Sequence, residues 1–595
     1  MSSATRETAE RTETSPEELL ARFGLSEFRP GQREAVAAAL EGRDSLVVMP
    51  TGGGKSLCYQ LPALADVGLV VVVSPLIALM SDQLRRLEEG GVRAAMLASG
   101  MGEGHNAERL REIESGETQL VLAAPERFAS AAFRRALGSR RVGLFVVDEA
   151  HCVAEWGHDF RPDYLRLGEA VRSLGRPAVM AATATATPRV AAEIAARLEL
   201  RDPVQIRSGF DRPNLTFDVA AVEGKGAVAR KRAALMHVLS GEGSLPAIVY
   251  AGTRKDTETL AKEIGAFGPR TVAYHAGMTP ERRRKAQEDF MSGRAEVVVA
   301  TNAFGMGVDK ADVRTVAHWA LPTSLEAYYQ EAGRGGRDGA PARALLLASR
   351  MDLGRLIRFI KERETSVGDV VRYVGRLRPA ADESGVLAIG HGELGERDRV
   401  LLSIAERAGA VELEPGGPEG LLVRLTGKGS QRLAAAAIQA ARDRAWESYR
   451  SIERYSSDGE RCRRVQILAH FGDPEEAYAT GRCCDVCDPD PGLAAAMAGA
   501  EAGGRRRGGG AKGRSAAPAQ DFEVPEEEFE KLRAWRFARA EGKPAYTVAS
   551  DATLRELIHT RPRSDRELLA VRGVGPSFLE KHGESLLEEL TTLGG

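Results

Sequence analysis

The chain has few aromatic residues, almost no net charge and no long apolar run, and the last two shortages each exclude a class of protein. Its 82 Lys and Arg are offset by 84 Asp and Glu, which leaves a net charge of -2. A uniformly basic surface is therefore excluded. A local basic groove is not, because salt screens charges beyond about 10 Å. No run approaches the roughly 18 apolar residues that a membrane helix needs, so the composition predicts a soluble globular protein.

Cysteine is also scarce, with six residues in 595, which argues against the disulfide framework of a secreted domain. Residues 1–15 are rich in Thr, Glu and Arg and contain no apolar stretch. They predict a disordered segment and not a signal peptide. We therefore expect a cytoplasmic protein, and its length predicts several domains.

Short apolar runs alternate with helical patterns from residue 45 to about residue 347. Runs of Val, Ile and Leu without polar alternation are typical of strands buried on both faces of a parallel α/β sheet. The first set is Ser45–Val48, Leu69–Val73, Leu120–Ala124, Leu144–Val147 and Ala178–Ala182. The second set is Ala247–Tyr250, Thr271–Tyr274, Val297–Ala300, Thr315–His318 and Ala344–Leu347. We predict two tandem α/β lobes, residues 16–208 and 209–350, divided near Ser208–Asn214.

Residues 351–440 are predicted to be helical with a winged-helix-like part. A helix at Arg397–Ala408 precedes two strands, Ala410–Leu413 and Leu421–Leu425, joined by the turn Pro415–Gly420. A helix followed by a β-hairpin is similar to a winged helix.

The remainder of the chain divides into three parts. Residues 441–490 contain four of the six cysteines. The Ala-, Gly- and Arg-rich residues 491–524 predict a flexible basic linker. A last compact unit occupies residues 525–595.

A glycine-rich segment follows the first strand directly. Its residues are Thr51, Gly52, Gly53, Gly54, Lys55 and Ser56. Glycines let backbone N–H groups surround phosphate oxygens, and the N-terminus of the following helix favours the anion. Lys55 is predicted to reach the β- and γ-phosphates, and Ser56 to hold Mg²⁺. The strict motif has glycine where Met49 stands, and the alternative is an ordinary glycine-rich turn between strand and helix.

Two carboxylates, Asp148 and Glu149, end the strand Leu144–Val147. A carboxylate at the tip of a buried strand can hold Mg²⁺, and its neighbour can orient or deprotonate the attacking water. Alone, such a pair is usually a solvated strand end. Together with the phosphate loop it predicts a nucleotide hydrolase, with Ser56 and Asp148 as magnesium ligands and Lys55 and Glu149 as catalytic residues.

The scarce aromatic residues cluster just after these acids. Trp156, His158, Phe160 and Arg161 lie within six positions. Aromatic rings stack on bases, and Arg adds cation–π and phosphate contacts. These four are the predicted DNA-binding residues, and the alternative is an aromatic anchor between helices.

Arg334 and Arg337, in the second set, are three residues apart and are predicted to share one helix face. Facing phosphates across a cleft, one of them can act as an arginine finger that stabilises charge in the transition state. The alternative is a solvated basic turn of helix.

Cys462, Cys483, Cys484 and Cys487 follow the pattern C-x20-C-C-x2-C. Four thiolates close a tetrahedral zinc site, which is structural because no open position remains. A disulfide pair is disfavoured in a reducing compartment. Cys58 and Cys152 are predicted to be small buried apolar residues.

In this order the motifs resemble the RecQ family of ATP-dependent DNA helicases, within the second helicase superfamily, nearly continuously from Phe23 to Leu347. The matching segments are Phe28-Arg29-Pro30-Gly31-Gln32, Ser74-Pro75-Leu76-Ile77, Asp148-Glu149-Ala150-His151-Cys152, Phe210-Asp211-Arg212-Pro213-Asn214, Tyr274-His275-Ala276-Gly277 and Ala303-Phe304-Gly305-Met306-Gly307-Val308-Asp309-Lys310. The tail from Phe529 to Leu593 resembles the HRDC domain, a small helical module.

The resemblance implies two RecA-like lobes, a winged-helix-like and zinc-binding region, and an all-α HRDC domain that binds nucleic acid. It implies that Gln32 and Arg29 bind the adenine of ATP, and that Arg337 is the arginine finger with Arg334 beside it. The implied cofactors are ATP, Mg²⁺ and Zn²⁺. The implied partners are single-stranded, duplex and branched DNA. The resemblance also implies movement 3′ to 5′ along one strand, unwinding of duplex or branched DNA in repair and recombination, and a protein at the nucleoid.

One departure concerns the winged helix, which in the family follows the zinc module and touches the duplex end. Here the Ala/Gly/Arg segment after Cys487 leaves no room for it, and the winged-helix-like residues 365–433 precede the cysteines. We hypothesise that the hairpin Leu413–Leu421 separates the strands.

Two rival functions remain open from the residues alone. The same lobes serve ATP-driven translocases and RNA-unwinding enzymes, which a comparison of DNA and RNA duplexes would separate. A nucleic-acid-binding scaffold with a vestigial ATPase is the other rival. The intact Lys55, Asp148, Glu149 and Arg337 argue against it.

Overall fold

A computed structural model describes most of the chain in two compact units, 1–507 and 508–595. The described residues are 14–50, 52–75, 77–98, 103–154, 164, 167–305, 310–390, 393–415, 420–474, 476–506, 522, 524–539, 548–571 and 574–593. The first unit contains two α/β lobes followed by a winged-helix segment and a cysteine cluster. The second unit is helical.

The first lobe is built on seven parallel strands in the order β3-β4-β2-β5-β6-β1-β7. These are β1 Ser45–Val48, β2 Leu69–Val73, β3 Ala94–Leu97, β4 Leu120–Ala123, β5 Val142–Val147, β6 Ala178–Thr183 and β7 Val204–Arg207. The inner strands β1, β2, β4, β5 and β6 match the first predicted set and are almost completely buried, because helices cover both faces of the sheet.

The second lobe is built on six parallel strands in the order β10-β11-β9-β12-β13-β8. These are β8 Leu215–Val222, β9 Ala247–Tyr250, β10 Thr271–Tyr274, β11 Val297–Ala300, β12 Thr315–His318 and β13 Ala342–Ser349. The two parallel-sheet lobes are therefore confirmed, and the last strand of the first sheet ends at Arg207, before β8 begins at Leu215.

The apolar pattern does not reveal β3, β7 and β8. The edge strand β7 alternates between polar and apolar residues, and only Ile206 in it is buried. At the other lobe's edge, β8 contains Asp218, which interrupts the apolar run. Its fully buried carboxylate is paired with Arg343 at 2.6 Å and also with Arg482.

Helices flank both sheets. In the first lobe they are α1 Pro16–Arg22, α2 Gln32–Leu40, α3 Lys55–Gln60, α4 Ile77–Glu89, α5 Glu103–Ser115, α6 Ala131–Gly138, α7 His151–Ala154, α8 Leu167–Ser173 and α9 Pro188–Arg197. In the second they are α10 Ala227–Leu239, α11 Arg254–Phe267, α12 Pro280–Met291 and α13 Leu325–Ala332. Hydroxyl caps start several of them. The Thr253 side chain, for example, accepts from the backbone N–H of Asp256 at the start of α11.

The winged-helix prediction is confirmed. Between α14 (Arg350–Glu362) and α17 (Gln431–Ser457) the chain forms α15 Val367–Leu377, β14 Val386–Gly390, α16 Glu396–Arg407, β15 Val411–Pro415 and β16 Gly420–Leu425. The three strands form an antiparallel sheet in the order β14-β16-β15. This segment has an apolar core of its own, which includes Leu402, Leu413 and Val423. Residues 416–419, between β15 and β16, lie outside the described residues.

The cysteine region follows α17 and contains α18 (Arg463–Phe471). Its backbone continues the edge of the second sheet, because the N–H of Phe217 on β8 donates to the carbonyl of Cys483 at 3.1 Å. The Val219 N–H donates to the Asp485 carboxylate at 3.1 Å. Ile452 of α17 and Phe471 of α18 belong to one apolar cluster with residues of both lobes.

The linker prediction for residues 491–524 is wrong over its first part. Pro491–Arg506 forms helix α19, which packs along α10 and buries Leu493 in the core of the second lobe. Alanine has the highest helix propensity, so an Ala-rich stretch becomes helical when it has a surface to cover. Residues 507–521 and 523 lie outside the described residues.

The second unit contains α20 Glu526–Ala538, α21 Asp551–Thr560, α22 Asp565–Leu568 and α23 Pro576–Thr592. Its core includes Leu532, Trp535, Leu557 and Leu586, and the Trp535 indole N–H donates to Ser585 Oγ at 3.0 Å. Among all described helices, none combines the length and apolarity needed to cross a bilayer.

Candidate functional site

The glycine-rich segment forms a tight loop between β1 and α3. Gly52 and Gly54 have φ values of 88° and 77°, a region that only glycine adopts freely. A Cβ at Gly54 would also collide with the amide of Gln32. That buried amide donates to the carbonyls of Gly53 at 3.2 Å and Gly54 at 3.0 Å, and the Arg29 guanidinium donates to the Gly52 carbonyl. Gln32 and Arg29, which the resemblance assigns to adenine binding, thus hold the loop in place through its carbonyls.

Met49 does not obstruct the loop. Its side chain is completely buried beneath it, and its Cε lies 3.0 Å from where a Cβ at Gly31 would stand. Met49, which replaces the glycine of the strict motif, therefore packs in the core, and the missing side chain of Gly31 leaves space for it.

Lys55 and Ser56 begin α3, directly after the loop. The Lys55 ammonium donates to the Met49 carbonyl at 3.1 Å, so it lies within the curve of the loop. The Ser56 hydroxyl is 3.5 Å from the amide nitrogen of Gln83, which also donates to the Tyr59 hydroxyl at 3.0 Å. Thr51 lies outside the described residues.

Asp148 and Glu149 follow β5, as predicted. Burial of Asp148, with the nearby negative charge of Glu149, raises the pKa of Asp148 to about 7, although Lys55 acts in the opposite direction. Glu149 has a φ of 49°, a strained conformation that is typical of functional sites. A magnesium ion between Ser56 and Asp148 would replace the proton that burial otherwise favours.

His151 connects the acids to β6. Its Nδ1 lies 2.8 Å from the Thr183 hydroxyl and 3.3 Å from the Glu149 carboxylate. Tyr164 donates from its hydroxyl to the backbone carbonyl of Asp148 at 3.3 Å. The predicted DNA-binding residues Trp156, His158, Phe160 and Arg161 lie outside the described residues. His151 before them and Tyr164 after them contact Glu149 and Asp148, respectively.

Arg337 of the second lobe lies over the phosphate loop of the first. Its Cγ is 3.6 Å from where a Cβ at Gly52 would stand. Arg334 takes a different position. It is buried in the second lobe, with Nη2 3.2 Å from where a Cβ at Gly305 would stand, and it contacts Tyr250.

The prediction that Arg334 and Arg337 share a helix face is wrong. Helix α13 ends at Ala332, and the two arginines lie in the turns that follow. Gly333 caps the helix, and glycine has low helix propensity. Further along the turn, Gly336 has a φ of 55°. The turn directs the two guanidinium groups to different places, and only Arg337 reaches the cleft.

The four cysteines predicted to bind zinc come together. Their Sγ atoms all lie within 4.8 Å of one another, with Cys462 at 3.6 Å from Cys483 and 3.9 Å from Cys484. A tetrahedral zinc site with bonds of about 2.3 Å requires about 3.8 Å between sulfurs. Burial and neighbouring thiols raise the pKa of Cys487, and a bound cation would offset this by stabilising the thiolates. The cluster therefore fits zinc.

Sequence reasoning overlooked the residues that hold the second-lobe turn. The Arg212 guanidinium donates to the carbonyls of Gly333, Gly335 and Gly336 at 3.1, 2.9 and 3.1 Å. The motif Phe210–Asn214 was recognised as part of the resemblance, but no contact across about 120 residues can be read from spacing.

Four protein-family models match the chain. They are DEAD/DEAH box helicase over residues 29–194, Helicase conserved C-terminal domain over 230–339, RecQ zinc-binding over 427–488 and HRDC domain over 526–590. Their boundaries agree with the two lobes, the cysteine region and the second compact unit.

Several curated proteins are similar to the chain. It is 33% identical to ATP-dependent DNA helicase RecQ of Bacillus subtilis, covering 96% of this chain and 97% of that protein. It is 40% identical to the protein of the same name in Haemophilus influenzae, covering 57% of this chain and 54% of that one. It is 43% identical to ATP-dependent DNA helicase Q5 of Rattus norvegicus, covering 56% and 36%. The chain thus spans nearly all of the first relative, about half of the second and about a third of the third.

Proposed function

The chain belongs to the RecQ family of ATP-dependent DNA helicases, and from this premise we propose how its residues unwind DNA. ATP and Mg²⁺ bind between the two lobes, and hydrolysis moves the chain 3′ to 5′ along one strand. Duplex and branched DNA are thereby opened in repair and recombination. The position of Arg337 over the phosphate loop is the observation that carries this proposal.

ATP would enter the cleft with its phosphates on the loop of Gly52–Gly54. Lys55 would leave the Met49 carbonyl to contact the β- and γ-phosphates, and Gln32 and Arg29 would contact the adenine. Ser56 and Asp148 would hold Mg²⁺, which supplies positive charge that offsets the charge of the phosphates.

Hydrolysis would follow from the groups on both sides of the γ-phosphate. Glu149 would orient a water and accept its proton as the oxygen attacks phosphorus, while the bond to the ADP oxygen breaks. Arg337 would stabilise the charge that develops on the transferred group. Because Arg337 belongs to the second lobe, its contact would form when the lobes close and be lost after phosphate leaves.

The DNA-sensing role of Trp156, His158, Phe160 and Arg161 remains part of the proposal. Tyr164 and His151, which flank them, both contact the site of hydrolysis, and this supports coupling between DNA and ATP. Opening a base-pair step costs about 1.4 kcal/mol, and stacking a base on an aromatic ring returns about 1–3 kcal/mol. Stacking can therefore assist melting, whereas direction must come from ATP.

A groove between the lobes, in which arginines outnumber acids, offers a path for the strand. It measures about 490 Å³ and is lined by Arg85, Arg86 and Asp82 of α4 and by Arg283, Arg284 and Glu288 of α12. We propose that the DNA backbone crosses it. Replacing both Arg86 and Arg283 by Gln should weaken single-strand binding and reduce the slope of log affinity against log salt by about 1.4. The exposed Arg358→Gln should change neither, and an unchanged slope in the double variant would exclude this path.

The hairpin of β15 and β16 is our proposal for strand separation. Strand β15 packs against residues Pro125–Ala129 of the first lobe. Glu412 on β15 is exposed and would repel phosphate, so the hairpin would act by blocking the duplex. A short Gly-Ser turn in place of Pro415–Gly420 should lower unwinding and leave ATP hydrolysis intact. Unchanged unwinding would remove the hairpin from the mechanism.

The experiment that tests the proposed function compares strand separation on matched substrates. A DNA duplex with a 3′ tail should be opened with ATP, and one with a 5′ tail or an RNA duplex should not. Lys55→Ala should abolish opening, whereas Lys225→Ala, at an exposed lysine, should not. A preference for RNA, or unwinding by the Lys55→Ala protein, would overturn the proposal.

A further inference from the structure

The connector between the lobes, residues 208–214, is held on one side by the cysteine region. Arg464 of α18 is buried, and its guanidinium forms an ion pair with Asp211. It also donates to the carbonyls of Arg212 at 2.8 Å and Leu215 at 2.6 Å. The Phe210 ring stacks on Phe471 at 4.3 Å. These contacts fix the backbone of the connector to α18.

On its other side the connector holds the turn that bears Arg337. Three hydrogen bonds run from the Arg212 guanidinium to carbonyls of residues 333, 335 and 336. The Asn214 amide donates to the carbonyls of Gly336 and Ala340, each at 2.8 Å. A planar guanidinium presents its donors in a fixed fork, so these bonds define the orientation of the turn as well as its position.

The connector and the turn pack too closely to admit a larger residue at Gly336. A Cβ at Gly336 would collide with the Asn214 amide and would lie 2.7 Å from the Ala340 carbonyl. Arg212 Nη1 also lies 4.0 Å from where a Cβ at Gly52 would stand. The connector, the turn and the phosphate loop thus meet at one point.

We infer that Arg212 is a positioning residue that sets Arg337 over the phosphate loop, and that Asp211 and Arg464 hold Arg212 in place from the cysteine region. The inference rests on the proposed hydrolysis of ATP in this cleft. Displacing a charged group by about 1 Å can cost about a hundredfold in rate. Loss of the three bonds should therefore act on the chemical step and leave nucleotide binding nearly unchanged.

The first test measures kcat and KM for ATP in the full-length protein with single-stranded DNA present. Arg212→Gln should lower kcat by about 30-fold and change KM by less than about threefold. Arg212→Lys keeps the charge but not the fork, and should lower kcat by about tenfold. Arg201→Gln replaces an exposed arginine of the first lobe and should match the wild type. Zinc content should stay the same in all three.

A double-variant cycle separates positioning from a general structural role. If Arg212 acts through Arg337, Arg212→Gln should add almost no further loss in kcat to an Arg337→Ala protein. Asp211→Asn should show the same non-additivity with a smaller single effect.

Each outcome of these tests has a definite meaning. Losses that multiply in the double variant, or a wild-type kcat in Arg212→Gln, would overturn the inference. If Arg212→Gln fails to fold, Arg212→Lys with and without Arg337→Ala decides by the same criterion. A wild-type protein without DNA-stimulated ATP hydrolysis would instead refute the proposed function itself.

Discussion

The nucleotide cleft has two faces that are built in different ways. On the first-lobe face, Asp148 and Glu149 directly follow the buried strand β5, and Lys55 begins α3 with its ammonium bonded to the Met49 carbonyl. On the second-lobe face, Arg337 stands in an irregular turn. Arg212 and Asn214, more than a hundred residues earlier in the chain, hold that turn.

This difference explains which parts of the site were predictable. The chemistry of both faces can be read from residue types and their order. The geometry can be read only on the first face, because a strand end determines the direction of the residues that follow it. On the second face a side chain is placed by contacts that local sequence does not encode.

The largest expected effect tests whether the second face matters as much as the first. Arg337→Ala should lower the kcat of ATP hydrolysis by about a thousandfold, because an arginine finger contributes about 10³–10⁵, while nucleotide affinity falls little. DNA-stimulated ATPase assays measure it, with Arg294→Ala at an exposed position of the same lobe as control. A comparable loss in Arg334→Ala without any loss in Arg337→Ala would reverse the roles of the two arginines.

On the first face, Glu149→Gln should lower kcat by about a hundredfold or more, since general-base catalysis contributes about 10²–10⁴. ATP should still bind, because the amide replaces only the proton acceptor. Single-turnover hydrolysis and nucleotide titration together measure both effects, and the exposed Glu169→Gln serves as control. Hydrolysis at the wild-type rate would show that another group accepts the proton.

The fold was predictable to a similar degree for similar reasons. Apolar runs located the inner strands of both sheets, whereas β7 and β8 escaped because edge strands carry polar residues such as Asp218. The composition of residues 491–506 predicted flexibility, yet α19 is ordered by a surface on α10 that its own sequence does not show. Long-range packing explains these errors as it explains the placement of Arg337.

A third change tests whether the second face depends on the distant cysteine region. Cys484→Ser should reduce bound zinc from about one ion per chain toward none, because a hydroxyl is a poor replacement for a thiolate. Since this region anchors β8 and the connector, kcat should also fall by about tenfold. Metal analysis and ATPase assays measure the two losses. Cys152→Ala, at a buried cysteine outside the cluster, should retain zinc. Full activity in a zinc-free Cys484→Ser protein would show that ATP hydrolysis does not depend on the cysteine region.

The smallest expected effect concerns the stability of the first face. Burial raises the pKa of Asp148 from 3.8 to about 7, so between these values the folded state keeps a proton that the unfolded chain loses. Stability therefore falls as pH rises through this window, and the cost in stability is fully present above pH 7.

Asp148→Asn carries no charge at any pH and should unfold at a higher temperature than the wild type at pH 8. An effect of about 1 kcal/mol corresponds to about 2–4 °C in a lobe of this size. The difference should shrink toward pH 5, and added Mg²⁺ should raise the unfolding temperature of the wild type but not of the variant. Thermal unfolding measures these shifts, with the exposed Asp66→Asn as control. A variant less stable than the wild type at pH 8 without metal would show that Asp148 is ionised at no cost, as an exposed carboxylate is.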